Sequence, residues 1–295
     1  MTGPLAARVA AALDRPIDSA VADFARRLGQ EAGAQAVLFY GSNLRTGSLE
    51  GVLDFYVLLP GPGERGLWPR VSYREWDHAG VRLRAKIATM SLARFAQAAG
   101  GETLDTTIWA RFVQPSALVW ARDGEARADV LGALEAAAIT AARLAIAVGP
   151  AHGPEDAYWR ALFRATYRAE LRVEPPGREE AILAANRTHF DGLLPAALSH
   201  AGIPLVWDGP MLEPRLKLHE RRRILRWWNR RRRLGKGLNA TRLVRAAATF
   251  EDGMRYVAWK VERHTGVPVK VTPLRERFPL AAAPSLLWQV WRARR

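Results

Sequence analysis

Gly41-Ser42 closes one apolar stretch, Ala36 to Tyr40, and Asp54 is the one acid in the next, residues 52–59. Glycine has no side chain, so the backbone N–H groups beside it can approach a phosphate closely, and Ser42 adds a hydroxyl at the same turn. The second stretch is β-branched and aromatic, the composition of a buried strand, and such a strand does not keep a carboxylate without a use for it. A strand carboxylate facing a Gly-Ser turn suits Mg2+ and a triphosphate. Composition removes other chemistries. With no cysteine there is no thiolate nucleophile or thiolate metal site, and the six histidines show no paired metal-ligand spacing.

The elements that must position these residues follow from the apolar pattern. Residues 4–33 have a helical period, with Val9, Leu13, Val21, Phe24 and Leu28 as the buried stripe of one helix and Gly33 as its stop. Past the Asp54 strand, Pro60-Gly-Pro-Gly63 is a turn cluster. Residues 71–76 and 81–89 are expected as two further strands across a turn at Asp77-His-Ala-Gly80, with Lys86 inside the second. Residues 126–148 form an Ala/Leu-rich helix ended by Gly149-Pro150, and Gly153-Pro-Glu-Asp156 caps another in which Trp159, Leu162 and Phe163 are core.

In order and spacing these residues resemble the Tam41-type phosphatidate cytidylyltransferases, a branch of the nucleotidyltransferase superfamily. Tyr40-Gly-Ser42 followed by Val52-Leu-Asp-Phe-Tyr56 is similar to that family's F/Y-G-S-G and M-L-D-F. Residues 84–91 are similar to K-Y-G-V-I-S, which places Lys86 on its lysine; residues 107–116 are similar to L-Y-x-A-G-R-L-x-K-P, which places Arg111 and Pro115 on its arginine and proline. Residues 165–174 are similar to L-S-Y-x-G-D-x-R-M, with Tyr167, Glu170 and Arg172 on its tyrosine, acid and arginine. The likeness covers residues 36–197. It implies that Gly41 and Ser42 cradle the outer phosphates of CTP, that Asp54 holds Mg2+, and that Lys86 and Arg111 neutralise charge on nucleotide or acceptor. Tyr167, Glu170 and Arg172 are then expected to close the site from a second domain. Four family glycines are replaced, by Asn43, Ala88, Ala110 and Ala169. Tyr56 stands where many nucleotidyltransferases carry a second metal-binding acid, which leaves Glu75 and Asp77 as the nearest further candidates.

The net charge of +15 is concentrated: residues 215–245 hold thirteen Arg or Lys against one acid, Glu220. A field of that kind favours an anionic partner, nucleic acid or an acidic lipid surface. Within it Ile224, Trp227 and Trp228 share a helical face among arginines, and Trp288 and Trp291 with Leu287 repeat the device near the end. Tryptophan beside arginine at helical spacing suits headgroup depth, so these four tryptophans are expected to touch a membrane. A break is expected at residues 235–239, followed by a helix over 240–264.

With 295 residues and 49% hydrophobic content, the chain is long enough for more than one core. The expected class is α+β: a nucleotidyltransferase-like mixed-sheet domain over 1–125, a helical second domain over 126–203, with a winged-helix arrangement as one form it could take, and a basic amphipathic helical region over 204–295. No apolar run is read as approaching the ~20 residues that span a bilayer, and the N-terminus carries no signal-peptide core. The expected location is cytoplasmic, held peripherally at the inner face of the membrane. The expected reaction moves CMP from CTP onto phosphatidate, giving CDP-diacylglycerol and pyrophosphate. The alternative is an RNA nucleotidyltransferase or a basic nucleic-acid-binding protein on the same fold; tryptophans adjoining Leu and Ile rather than standing in polar loops favour lipid.

Overall fold

Asp14-Arg-Pro-Ile-Asp18 interrupts what the apolar period joins. Pro16 has no N–H and its ring collides with a preceding helical turn, and Asp18 starts a new helix by accepting a hydrogen bond from the Ala20 N–H at 2.8 Å. The single helix expected over 4–33 is therefore two, α1 (Pro4–Leu13) and α2 (Ser19–Glu31). They pack on opposite faces of the sheet: Leu5, Val9 and Leu13 join one buried cluster, and Val21, Phe24 and Leu28 another. In this computed structural model residues 3–64, 69–169, 177–249 and 262 are described.

The sheet has five strands, β1 (Ala36–Tyr40), β2 (Leu53–Leu59), β3 (Arg70–His78), β4 (Val81–Ser91) and β5 (Ser116–Ala121), in the order β3-β4-β2-β1-β5. Only β2 and β4 run parallel; the other neighbours are antiparallel. The β3–β4 hairpin is tighter than the four-residue turn expected. Its connection is Ala79-Gly80, both left-handed with φ of 48° and 80°, which matches the twist of the flanking strands. A short α3 (Ser42–Thr46) links β1 to β2, and α4 (Leu92–Ala99) and α5 (Thr107–Phe112) lie between β4 and β5.

Beyond β5 come α6 (Gly124–Val148), β6 (Gly153–Pro154), α7 (Glu155–Ala169), α8 (Arg178–Ala185), α9 (Arg187–Phe190), α10 (Leu193–His200), the hairpin of β7 (Leu205–Asp208) and β8 (Met211–Pro214), and α11 (Leu218–Thr249). A small second sheet, β6-β8-β7, had no counterpart among the expected elements. The described residues thus form a mixed α+β protein with a five-stranded mixed sheet and helices.

Buried side chains divide by the face of the sheet. On one face α2 covers Val37, Phe39, Leu53, Phe55, Val57, Leu83, Ala85 and Ile87. On the other, a larger cluster joins β1, β2 and β4 to α1, α4, α5, α6, α7, α10 and α11, from Leu5 to Trp228. The boundary expected at 125/126 falls in the first turn of α6, and this cluster runs across it. α6 corrects one expectation. By length and composition it is apolar enough to cross a membrane, yet here it is the hub of the helical layer, with α1, α4, α5, α7, α10 and α11 packed around it.

The break expected at residues 235–239 is absent, since α11 runs unbroken through them. Gly235 serves a crossing instead. A Cβ there would lie 2.8 Å from the Ala169 carbonyl oxygen at the end of α7, so only glycine lets the two helices approach. The helix expected to reach 264 is described as far as Thr249 within α11; residues 250–261, 263 and 264 lie outside the described residues.

Candidate active site

Strand register brings two of the expected residues, Asp54 and Lys86, to one place beside Tyr40. Tyr40 pairs with Asp54 across β1 and β2, and Asp54 pairs with Lys86 across β2 and β4. Partners in register share a face, so Tyr40, Asp54 and Lys86 lie side by side under the helical layer, with strands about 4.8 Å apart. Gly41 follows directly on β1, left-handed at φ 92°, where a side chain would be strained. A Cβ built on it would stand 2.9 Å from Asp54 Oδ2. Glycine therefore keeps open the space in front of the carboxylate.

Arg111 arrives from α5. Its Nη1 donates to the Tyr56 hydroxyl at 3.1 Å, and its guanidinium lies 5.2 Å from the centre of the Tyr40 ring. Tyr56 is 1% exposed and its ring packs on Tyr40 and Phe112. The position where a second acid was missing thus holds a phenol that orients a cation. Burial pushes the Asp54 carboxyl above its ordinary range, opposed by the charges of Lys86 and Arg111. Burial likewise raises the Tyr40 hydroxyl, countered by Arg111. A half-buried carboxylate held between two cations is placed to meet a charged ligand, where such perturbation concentrates.

α5 is anchored at both ends of its approach. The buried Asp105 accepts from the Thr107 N–H and hydroxyl, at 3.0 and 2.9 Å. Upstream, the Arg231 guanidinium of α11 donates to the Gly101 and Thr103 carbonyls at 2.6 and 2.7 Å and lies 4.0 Å over the Trp227 ring. Burial, with Arg230 nearby, pulls the Arg231 guanidinium down to about 10, still charged at neutral pH. Nothing in the sequence pattern singled out Arg231 among its neighbours; its carbonyl partners lie about 130 residues away.

Ser42 is exposed at the start of α3, its hydroxyl donating to Asn43 Oδ1 at 3.3 Å. Asn43 is 7% exposed, and its amide donates to the Ser48 and Glu50 carbonyls at 2.8 and 2.7 Å. The asparagine that replaces a family glycine therefore closes the loop returning to β2. The other replacements, Ala88, Ala110 and Ala169, are each buried in the large cluster, where a methyl is accommodated. Tyr167 sits in the last turn of α7, half-buried against the same cluster as Tyr40. Glu170 and Arg172 lie outside the described residues.

Two sets of expected residues are corrected. Asp77 is bound bidentately by Arg82, at 2.8 and 2.9 Å, which holds its carboxyl below its ordinary range. It stands four residues along β3 from the Tyr73–Lys86 pair, roughly 13 Å, too far to join Asp54. Glu75 accepts from the Tyr73 hydroxyl at 2.7 Å and faces Arg84 at 3.4 Å. Trp227 and Trp228 point inward. Trp228 is 4% exposed, both pack on the Trp109 ring, and the Trp227 indole N–H donates to the Gly101 carbonyl at 3.0 Å. Burying two indoles offers more free energy than an arginine face can, so the tryptophan side of α11 took the core. Trp288 and Trp291 lie outside the described residues.

A Mg2+ ion held by one carboxylate and a substrate's phosphates fits this site, because Gly41 leaves the space beside Asp54 Oδ2 open. Among the described residues no group of three or more His, Asp or Glu could hold a metal ion. Compared with known proteins, the chain matches no family model and no curated sequence.

Proposed function

We propose that the chain is a nucleotidyltransferase that moves CMP from CTP to the phosphate of phosphatidate, on a nucleotidyltransferase-like fold. The observation that carries the reaction class is the convergence of Asp54, Lys86 and Arg111 at the open side of Gly41. The identities of nucleotide and acceptor rest on the resemblance of residues 36–197 to the phosphatidate cytidylyltransferases.

An oxygen of the acceptor phosphate attacks the α-phosphorus in line; the new O–P bond forms as the bond to the β-phosphate breaks and pyrophosphate leaves. The acceptor is already ionised, so no strong base is needed, and positioning with charge neutralisation supplies most of the rate. Bound Mg2+ would polarise the phosphoryl oxygens and offset charge on the leaving group. Asp54 would hold the ion. Gly41 admits the outer phosphates to the backbone at the start of α3, and Ser42 offers a hydroxyl beside them. Lys86 and Arg111 neutralise oxygens that gain charge in transfer, and the Tyr56 hydroxyl keeps Arg111 aimed.

Pyrophosphate release from each of the four NTPs, with and without detergent-dispersed phosphatidate, tests this reading. Release from CTP that depends on phosphatidate is expected. Release from every NTP regardless of phosphatidate, or from none, removes the assignment.

A further inference from the structure

Residues 221–233 hold eight arginines, and seven of them are exposed. Arg231 alone turns inward, at 5% exposure. No acid among the described residues pairs with it, and its Nε is buried without a hydrogen-bond partner. Burying a guanidinium without a carboxylate is costly, and a methionine would fill the same space at the inner side of α11 without that cost. Packing alone therefore does not account for the residue. Its partners do: Nη2 donates to the Gly101 and Thr103 carbonyls, and Nη1 to the Trp227 carbonyl one turn back at 3.1 Å. A planar guanidinium holds two carbonyls of another segment in a fixed direction, which neither an ammonium nor an apolar chain does.

The turn that Arg231 holds is shaped to this contact. Gly101 is left-handed at φ 73°, and a Cβ there would stand 2.9 Å from the Trp227 ring and 2.9 Å from Thr140 Cγ2. The Gly101 carbonyl also accepts from the Trp227 indole. From this turn the chain passes through the buried Asp105, whose carboxylate accepts from Thr107, directly into α5. α5 is six residues long, too short to hold its place unaided. Its two sides face different ways. Trp109 packs on Trp227 and Trp228, and Arg111, about 200° further round the helix, reaches the Tyr56 hydroxyl and the Tyr40 ring. The inner side of α11 thus holds α5 by its lead-in and by one side, while the other side carries a cation of the candidate site.

We propose that Arg231 is a positioning residue of the candidate site: by holding the Gly101 and Thr103 carbonyls it fixes α5, and thereby where Arg111 stands against Tyr56 and Asp54. Arg231 touches no substrate and acts only through Arg111. Its effect on turnover rests on the transfer reaction proposed above.

A double-mutant cycle on CTP turnover with detergent-dispersed phosphatidate tests it, with rates corrected for the folded fraction. Arg231→Met should lower turnover about tenfold, and Arg231→Lys, which keeps the charge and still reaches one carbonyl, about threefold. Arg232→Met, an exposed neighbour, should stay within about twofold. In an Arg111→Ala background Arg231→Met should cost nothing beyond about twofold, because the residue that it positions is gone. An Arg231 that serves the fold alone would multiply its loss onto that of Arg111→Ala. That outcome overturns the proposal, as does wild-type turnover by Arg231→Met. Should Arg231→Met fail to fold, as judged by circular dichroism, Arg231→Lys takes its place in the cycle, and its loss must likewise vanish beside Arg111→Ala. Hydrogen exchange gives a readout that needs no reaction: the amides of residues 107–112 should exchange about tenfold faster in Arg231→Lys than in wild type, and those of α2, across the sheet, at the wild-type rate. If wild type transfers no CMP, the reaction is wrong and exchange alone decides the positioning role, faster exchange in α5 upholding it and unchanged exchange overturning it.

Discussion

Asp54 and Phe55 are neighbours in the chain and lie on opposite faces of one strand. Phe55 is fully buried under α2, its ring 5.9 Å from Phe24 and 5.2 Å from Phe39. Asp54 faces the helical layer, beside Lys86, Arg111 and the two tyrosines. On β1 and β2 the α2 face is apolar, built from Val37, Phe39, Leu53, Phe55 and Val57, whereas Asp54 and Lys86 lie on the other face. The alternation of a β-strand thus lets one segment divide its residues, with packing on one side and the candidate site on the other.

The comparison breaks most visibly at Phe55. Phe55→Ala should cost about 3–5 kcal/mol of stability while the folded fraction turns over at close to the wild-type rate; denaturant unfolding with initial rates checks both. A loss of turnover without a loss of stability would mean that the two faces are not separate in function.

Next in size come the two cations. Lys86→Ala and Arg111→Ala should each lower turnover about tenfold to a hundredfold, whereas Arg122→Ala, an exposed arginine beyond β5, should stay within about twofold. Similar small losses at all three positions would make Lys86 and Arg111 ordinary packing and surface residues.

The smallest effect is on pH dependence. The proposed turnover needs an ionised Asp54, and its folded pKa is raised above the ordinary 3.8. The rate should therefore fall on acidification at a pH above the usual aspartate range. Lys86 opposes the rise, so Lys86→Met should move this acid limb to still higher pH. A limb at the ordinary aspartate value in both proteins would show that Asp54 is solvated and not beside Lys86. The sign for stability follows from the same shift: a raised carboxyl pKa means that ionised Asp54 destabilises the fold, with the cost growing as pH rises from 3.8 through the folded value.

The strand-borne part of the site was legible in the sequence because its signals are local. Gly41-Ser42, the lone acid in an apolar strand and Lys86 in the next each stand out within a few residues, and register does the rest. Arg111 was legible only through the resemblance, because its partner Tyr56 is 55 positions away. The apolar period of residues 4–33 gave no sign that Pro16 sends its halves to opposite faces of the sheet. Nor does a helical wheel of α11 say which side faces the protein. Two tryptophans beside arginines suit a headgroup layer as well as they suit a core. What decides is the Trp109 ring together with the Gly101 and Thr103 carbonyls, which come from a distant part of the chain.

If the Asp54 face transfers a nucleotide, as proposed, Asp54→Asn must all but abolish the transfer. CTP labelled at the α-phosphate is incubated with Mg2+ and detergent-dispersed phosphatidate, the label entering the lipid phase is counted, and the melting temperature of each protein is recorded. Wild type should move label into lipid. Asp54→Asn should do so about a hundredfold more slowly or worse, with a melting temperature at neutral pH equal to or above that of wild type, because the ionised carboxylate that it removes is destabilising. Transfer by Asp54→Asn within a few-fold of wild type, or the absence of transfer by wild type, would contradict the account.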